Sequence, residues 1–129
     1  MIYVADTHSL LWFLSEDANL SPKAKQVFDA CEEGKEVIVI PTIVLAELMH
    51  LCEKKGKEEQ FFKMIEKVEK GINYIAYNLD TKVILECRNL KKIKEMHDKI
   101  ITATAVLLKA KVITRDNNIK DSRYVDVVR

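Results

Sequence analysis

A chain of 129 residues, 48% hydrophobic and carrying 21 basic against 20 acidic side chains, suits one compact domain and lacks the overall basic bias common in nucleic-acid binders. Folding at this size buries roughly two thirds of the surface that the unfolded chain exposes, so a core forms without help from a disulfide or a structural metal. The three cysteines, Cys31, Cys52 and Cys87, are odd in number and contain no CxxC pair, which excludes the usual zinc and redox patterns and suits small buried hydrophobes in a reducing compartment.

Ile2-Tyr3-Val4-Ala5 is short, apolar and rich in β-formers, and reads as a buried strand running into Asp6-Thr7, either of which can cap a helix. Leu10 to Leu14 continue as a short apolar helix. Ser21-Pro22 opens the next one, with Ser21 as N-cap, Ala24, Val27, Phe28 and Cys31 as its apolar stripe, and Gly34 closing it. Glu36 to Ile40 form a second buried strand stopped by Pro41. Thr42 is expected to cap a helix whose inward face includes Leu45, Leu48, Met49 and Cys52, ending at Gly56.

A charged amphipathic helix comes next, with Phe61, Phe62, Ile65 and Val68 at helical spacing and Gly71 as its stop. Ile72 to Tyr77 are a third strand. Asn78 or Asp80 starts a helix through Val83, Ile84 and Cys87, and another runs from about His97 to Lys109, with Ala103, Ala105 and Ala110 allowing close packing. Lys111 to Thr114 are a fourth strand ending at Arg115-Asp116, and Tyr124 to Val128 a last edge strand. Helices alternating with short, continuously apolar strands imply an α/β/α sandwich around a parallel sheet of four or five strands, with residues 1–129 as a single domain.

The N-terminal stretch lacks the basic segment, long apolar run and small-residue cleavage site of a signal peptide. The longest apolar-rich run, Ile100 to Leu108, is interrupted by threonines and is too short to cross a bilayer, so the expected location is cytoplasmic. Local basic clusters, Lys54, Lys55 and Lys57 and then Lys91, Lys92, Lys94 and Lys99, read as solvated helix faces.

Two aspartates stand at strand ends, Asp6 after the first strand and Asp116 after the fourth, and in parallel sheets ligands bind beyond the carboxyl ends of strands. Glu47 lies just over one turn into the helix after the second strand, and Asp98 opens the helix before the fourth. All four acids can converge on one rim. Each alone has a plainer role: Asp6 and Asp98 as helix N-caps, Asp116 as a turn residue. Glu47, set among apolar neighbours, is harder to explain, because an unpaired buried carboxylate is expensive. Clustered carboxylates repel one another, and hard divalent ions such as Mg²⁺ and Mn²⁺ relieve that repulsion, whereas zinc calls for His or Cys ligands that are missing here. A two-metal arrangement activates water on one side of a phosphodiester and stabilises the leaving oxygen on the other.

Val4-Ala5-Asp6-Thr7-His8-Ser9-Leu10-Leu11-Trp12, Leu45-Ala46-Glu47-Leu48, His97-Asp98-Lys99-Ile100-Ile101-Thr102-Ala103-Thr104-Ala105 and Val112-Ile113-Thr114-Arg115-Asp116 resemble the motifs of PIN-domain ribonucleases, in order and spacing across essentially the whole chain. The resemblance is closest to the toxins of VapBC-type toxin–antitoxin pairs. It implies that Asp6, Glu47, Asp98 and Asp116 form a catalytic site for one or two Mg²⁺ or Mn²⁺ ions, at which metal-bound hydroxide cleaves RNA, single-stranded or structured, to a 3′-hydroxyl and a 5′-phosphate. Thr7 and Thr114 match accessory positions that orient the acids or the water, although Thr7 also suits a helix cap. Asn117 and Asn118 stand where some relatives carry a further acid, which implies a weaker second metal. An antitoxin partner and a homodimer are likewise implied. RNA-processing PIN nucleases outside a toxin pair, and a non-catalytic Mg²⁺-dependent RNA-binding module, remain alternatives.

Lys99 and Arg115, adjacent to two of the acids, are candidate phosphate contacts, with solvated or salt-bridged roles equally open. Trp12 and Phe13 read as core or dimer contacts rather than base-stacking platforms. Glu47-x-x-His50 has the spacing of a di-iron motif, but the strand-rich pattern argues against that fold. No histidine is assigned a catalytic role. A haloacid-dehalogenase site would need an acid two residues after Asp6, where His8 stands, and a response regulator would need a phosphoacceptor where Tyr77-Asn78 stands.

Overall fold

A computed structural model describes residues 1–129. Five parallel strands lie in the order β3-β2-β1-β4-β5: β1 (Ile2–Ala5), β2 (Val37–Pro41), β3 (Tyr74–Tyr77), β4 (Lys111–Ile113) and β5 (Val127–Val128). The helices between them are α1 (Thr7–Leu14), α2 (Pro22–Glu32), α3 (Thr42–Lys55), α4 (Glu58–Lys70), α5 (Thr81–Cys87), α6 (Met96–Leu108) and α7 (Asn117–Ser122). The result is the expected three-layer α/β/α sandwich. None of the helices is long and apolar enough to cross a membrane.

The central strand is β1, paired on one side with β2 (Val4 opposite Val39) and on the other with β4 (Val4 opposite Val112). The chain leaves β1 towards β2 and β3, then returns through α6 to β4, so the direction of winding reverses beside β1. Such a switch point opens a crevice at the carboxyl ends of the strands. Val4, Ala5, Ile38, Ile40, Val112 and Ile113 are buried, which is why these strands read as unbroken apolar runs. On one side α1 packs against α2, α3 and α4; α6 covers β1, β2 and β4, and α5 packs on α6.

Several local expectations shift. Asp6, rather than Thr7, caps α1: its Oδ1 accepts from the Ser9 N–H at 2.9 Å. Pro41 is the last residue of β2, opposite Tyr77 of β3 and beyond the residues that pair with β1. Thr42 is the first residue of α3 instead of its cap, and its hydroxyl accepts from the Leu79 N–H at 3.2 Å. The inward face of α4 is Phe61, Met64 and Val68, at i, i+3 and i+7, with Ile65 half-buried outside that cluster, while Phe62 projects outward at 63% exposure. Met49 and Ile84 are exposed as well, their places in the core taken by Val44 and by Val83 with Cys87. All three cysteines are buried and free. The short helix α7 was not anticipated; Asp116 caps it by accepting from the Ile119 N–H at 3.0 Å, and Ile119 is fully buried. Tight stops come from Gly56 and Gly71, whose φ angles of +67° and +65° glycine adopts without steric cost.

Candidate active site

The switch-point crevice is a cleft of about 490 Å³ whose walls carry Asp6, Glu47, Asp98 and Asp116 together with a fifth acid, Glu95. Asp6 arrives from the end of β1, Asp116 from just beyond β4, Glu47 from the second turn of α3, and Glu95 and Asp98 from the start of α6. The four acids singled out in the sequence thus do face one cleft.

Two threonine hydroxyls tie the acids together. Thr114 Oγ1 donates to Asp6 Oδ2 and at the same time accepts from the Asp116 backbone N–H at 3.0 Å. One hydroxyl from the end of β4 thereby fixes the ends of two neighbouring strands. Thr7 Oγ1 donates to Glu47 Oε1 at 3.1 Å, linking α1 to α3. Both threonines are buried, so these bonds are made where solvent competes little.

Glu47 is not the buried carboxylate its apolar neighbours suggested. Val44, Leu48 and Cys52 take the core face of α3, whereas the Glu47 side chain keeps 34% exposure and opens into the cleft. Asp98 differs from expectation too: it is the third residue of α6 rather than its cap. Glu95 takes the capping role, accepting from the Asp98 N–H at 2.8 Å. His97 Nδ1 lies 2.9 Å from Glu95 Oε1 and 3.8 Å from Glu47 Oε2.

The crowding of charge is legible in one group. The Asp98 carboxyl is pushed up from its ordinary 3.8 to about 6, first by burial and then by the negative charges of Asp116, Glu95, Asp6 and Glu47. Conversely Glu95 is held below the ordinary carboxylate range: burial raises it, and the backbone N–H groups of Asp98 and His97, with the His97 ring, outweigh that.

The carboxylates ring the cleft rather than meeting at a point, and no three acidic, His or Cys side chains are drawn into a formed ligand cluster. The chemistry of the donors still fits a hard cation. Five carboxylates supply only oxygen, their mutual repulsion already deters Asp98 from ionising, and a divalent ion between them would remove that penalty.

Of the two candidate phosphate contacts, Arg115 lines the cleft and Lys99 does not; Lys99 stands close enough to Cys87 for its charge to lower that thiol against the effect of burial. Phe13 is a core-edge residue, stacked on Phe28 with ring centroids 4.5 Å apart. Trp12, read as a core or dimer contact, is half-buried rather than in the core and lines both this cleft and the groove beside α2 and α4. Glu95 is the acid that sequence reasoning missed, since glutamate is not among the favoured N-caps; its place three residues before Asp98 was the available signal.

The sequence matches the PIN domain family over residues 3–123. No curated protein matches it. Among solved structures it is similar to VapBC2 from Rickettsia felis bound to a promoter DNA fragment, with TM-score 0.72, 18% identity, and 99% of this chain and 98% of that chain covered. A toxin–antitoxin complex from Klebsiella pneumoniae gives 0.71 at 22% identity, covering 98% and 96%. Mycobacterium tuberculosis VapC20, described as a Sarcin-Ricin loop cleaving toxin, gives 0.72 at 13% identity, covering 98% of each chain.

Proposed function

The chain belongs to the PIN domain family, and from that premise we propose that it is a Mg²⁺- or Mn²⁺-dependent endoribonuclease, acting as the toxin of a VapBC-type toxin–antitoxin pair. The observation that carries the nuclease reading is the convergence of five carboxylates on one switch-point cleft, with Asp98 pushed up to about 6 by burial and then by its acidic neighbours. That is a site built for positive charge. Asp6, Glu47, Asp98 and Asp116 would hold the ion or ions. A divalent ion bound there would supply an activated water and neutralise the charge of an RNA phosphodiester.

The chain's own residues do the positioning. Thr114 bonds both the Asp6 carboxylate and the Asp116 backbone N–H, and so ties the two acids together in the wall of one cleft. Thr7 fixes one oxygen of Glu47, leaving Oε2 directed towards His97 and the cleft. Arg115 is the one Lys or Arg side chain among the lining residues and is placed to meet a phosphate oxygen.

The toxin reading rests on the structural neighbours, several of which are toxin–antitoxin complexes. A groove of about 780 Å³ beside α1, α2 and α4 offers a small antitoxin one apolar wall, Trp12, Phe13, Leu14 and Leu20, set among lysines and acids.

Cleavage of an end-labelled RNA, with Mg²⁺ or Mn²⁺ and with EDTA, tests the reading in wild type, Asp6→Asn and Asp98→Asn. Metal-dependent cleavage lost in both variants is the expected result. Equal cleavage by the variants, or cleavage that EDTA leaves intact, would overturn it.

A further inference from the structure

Trp12 is the only tryptophan in the chain, and its neighbours on α1 are explained by packing in a way that it is not. Leu10 and Leu11 are buried and Phe13 stacks on Phe28. The Trp12 ring instead is half-buried on the ridge between the carboxylate cleft and the groove beside α1, α2 and α4, lining both, with Arg115 Cζ 5.8 Å from its centroid and the His8 ring 5.9 Å away at 50°. Arg115 is anchored on both sides of that contact: Nη1 donates to the Asn19 carbonyl at 3.2 Å, and its own carbonyl accepts from Arg129 Nη2 at 3.2 Å.

We infer that Trp12, flanked by Arg115 and His8, is a nucleobase subsite that takes an unpaired base of single-stranded RNA next to the phosphate held at the carboxylates. This rests on the ribonuclease reading and adds the form of the substrate to it. A divalent ion at the carboxylates would offset their repulsion of the one phosphate held there, but Arg115 is the one Lys or Arg side chain lining the cleft, so the nucleotides on either side draw affinity from contacts that do not depend on phosphate charge. Base stacking on an indole is such a contact, since every base offers a π-face, and a guanidinium stacks on bases as well. A base locked in a duplex cannot reach the ring without being unpaired and unstacked.

Because Trp12 is alone, its fluorescence reports the subsite directly. Asp98→Asn protein with Mn²⁺ is titrated with a short single-stranded RNA and with its abasic counterpart, binding being followed independently by anisotropy of a label on the RNA. Quenching by the base-bearing strand and none by the abasic one is expected. In cleavage assays on the otherwise native protein, Trp12→Ala should raise KM for single-stranded RNA roughly 5- to 100-fold with kcat much less affected, and Trp12→Phe should restore most of the loss. Circular dichroism melts establish that both variants fold. RNA bound without quenching, or an unchanged KM in Trp12→Ala, would overturn the subsite while leaving the nuclease reading in place. Failure of that reading would show separately, as wild-type protein that cleaves no RNA with either metal.

Discussion

Replacing Asp98 by Asn should stabilise the metal-free protein, although the residue stands in the candidate active site. Its carboxyl is held at about 6 against an ordinary 3.8, by burial first and then by Asp116, Glu95, Asp6 and Glu47. The ionised form is therefore less favourable in the fold than in the unfolded chain. The full gap corresponds to ~3 kcal/mol. The cleft is open to solvent, which screens the repulsion, and the carboxylate also gains a few tenths of a kcal/mol from the start of α6; the penalty that Asn removes is then about 1 kcal/mol. For a chain of this size that is a rise in Tm of roughly 3–5 °C.

The sign of the pH dependence is set by the raised value. Well below the ordinary value of 3.8 the carboxyl is protonated in both states and the penalty is absent; it grows as pH rises through 3.8 and is complete above about 6. Melts of wild type and Asp98→Asn in EDTA should converge as pH falls below 3.8 and separate above 6, the variant melting higher. Asp121→Asn, which removes an exposed acid from α7, controls for net charge. An Asp98→Asn Tm at or below wild type at pH 8, or a gain matched by Asp121→Asn, would refute the electrostatic account of the cleft.

Two further substitutions probe individual hydroxyls. The Thr102 hydroxyl is fully buried on α6 without a hydrogen-bond partner, so Thr102→Val should raise stability by about 1 kcal/mol in urea titrations, and a loss would mean that the hydroxyl is satisfied after all. Thr114→Val removes both the donor to Asp6 and the acceptor of the Asp116 N–H, and should cost ~1–3 kcal/mol and at least about tenfold in RNA cleavage, with Thr114→Ser retaining most of both; equal losses in the Ser and Val variants would show that the methyl group matters rather than the hydroxyl.

The elements legible in the sequence were those that one strong local signal dictates. β1, β2 and β4 are covered on both faces, which forces continuous apolar runs, and the acids at their ends could be placed because strand ends are the least ambiguous boundaries of such a sheet. Trp12 was not legible: Leu10 to Leu14 are all apolar, so no periodicity distinguishes the residue that faces the cleft from those that face the core. The same limit applies to Phe61 and Phe62, adjacent rings of which helix geometry can bury only one well. Helix α7 escaped because its single buried hydrophobe, Ile119, sets up no pattern, and its start depends on an Asp116 cap that also suits an ordinary turn. Glu47 misled in the opposite direction, its apolar sequence neighbours lying around the helix rather than around the carboxylate.

The plain and the functional readings of the aspartates, rivals in the sequence, turn out to describe different atoms of the same side chains. Asp6 caps α1 through Oδ1 while Oδ2 takes the Thr114 hydroxyl, and Asp116 caps α7 through Oδ1. Each capping bond uses one lone pair and fixes the carboxylate's orientation, leaving other lone pairs for a ligand in the cleft. Capping thus contributes to placing the site. Asp98 does no capping, which is why its removal can help the metal-free fold, whereas loss of Asp6 should not. The distinction also explains why asparagine is the informative replacement at Asp6: it is as good an N-cap as aspartate but carries no charge. Asn keeps the cap through Oδ1 but sets an amide nitrogen where Oδ2 accepts from the Thr114 hydroxyl, so Asp6→Asn should melt somewhat below wild type and lose metal-dependent cleavage, whereas Asp6→Ala, which loses the cap as well, should melt lower still. An equal fall in stability for Asn and Ala would mean that the cap contributes nothing and that the bond from Thr114 holds the end of β1 in place.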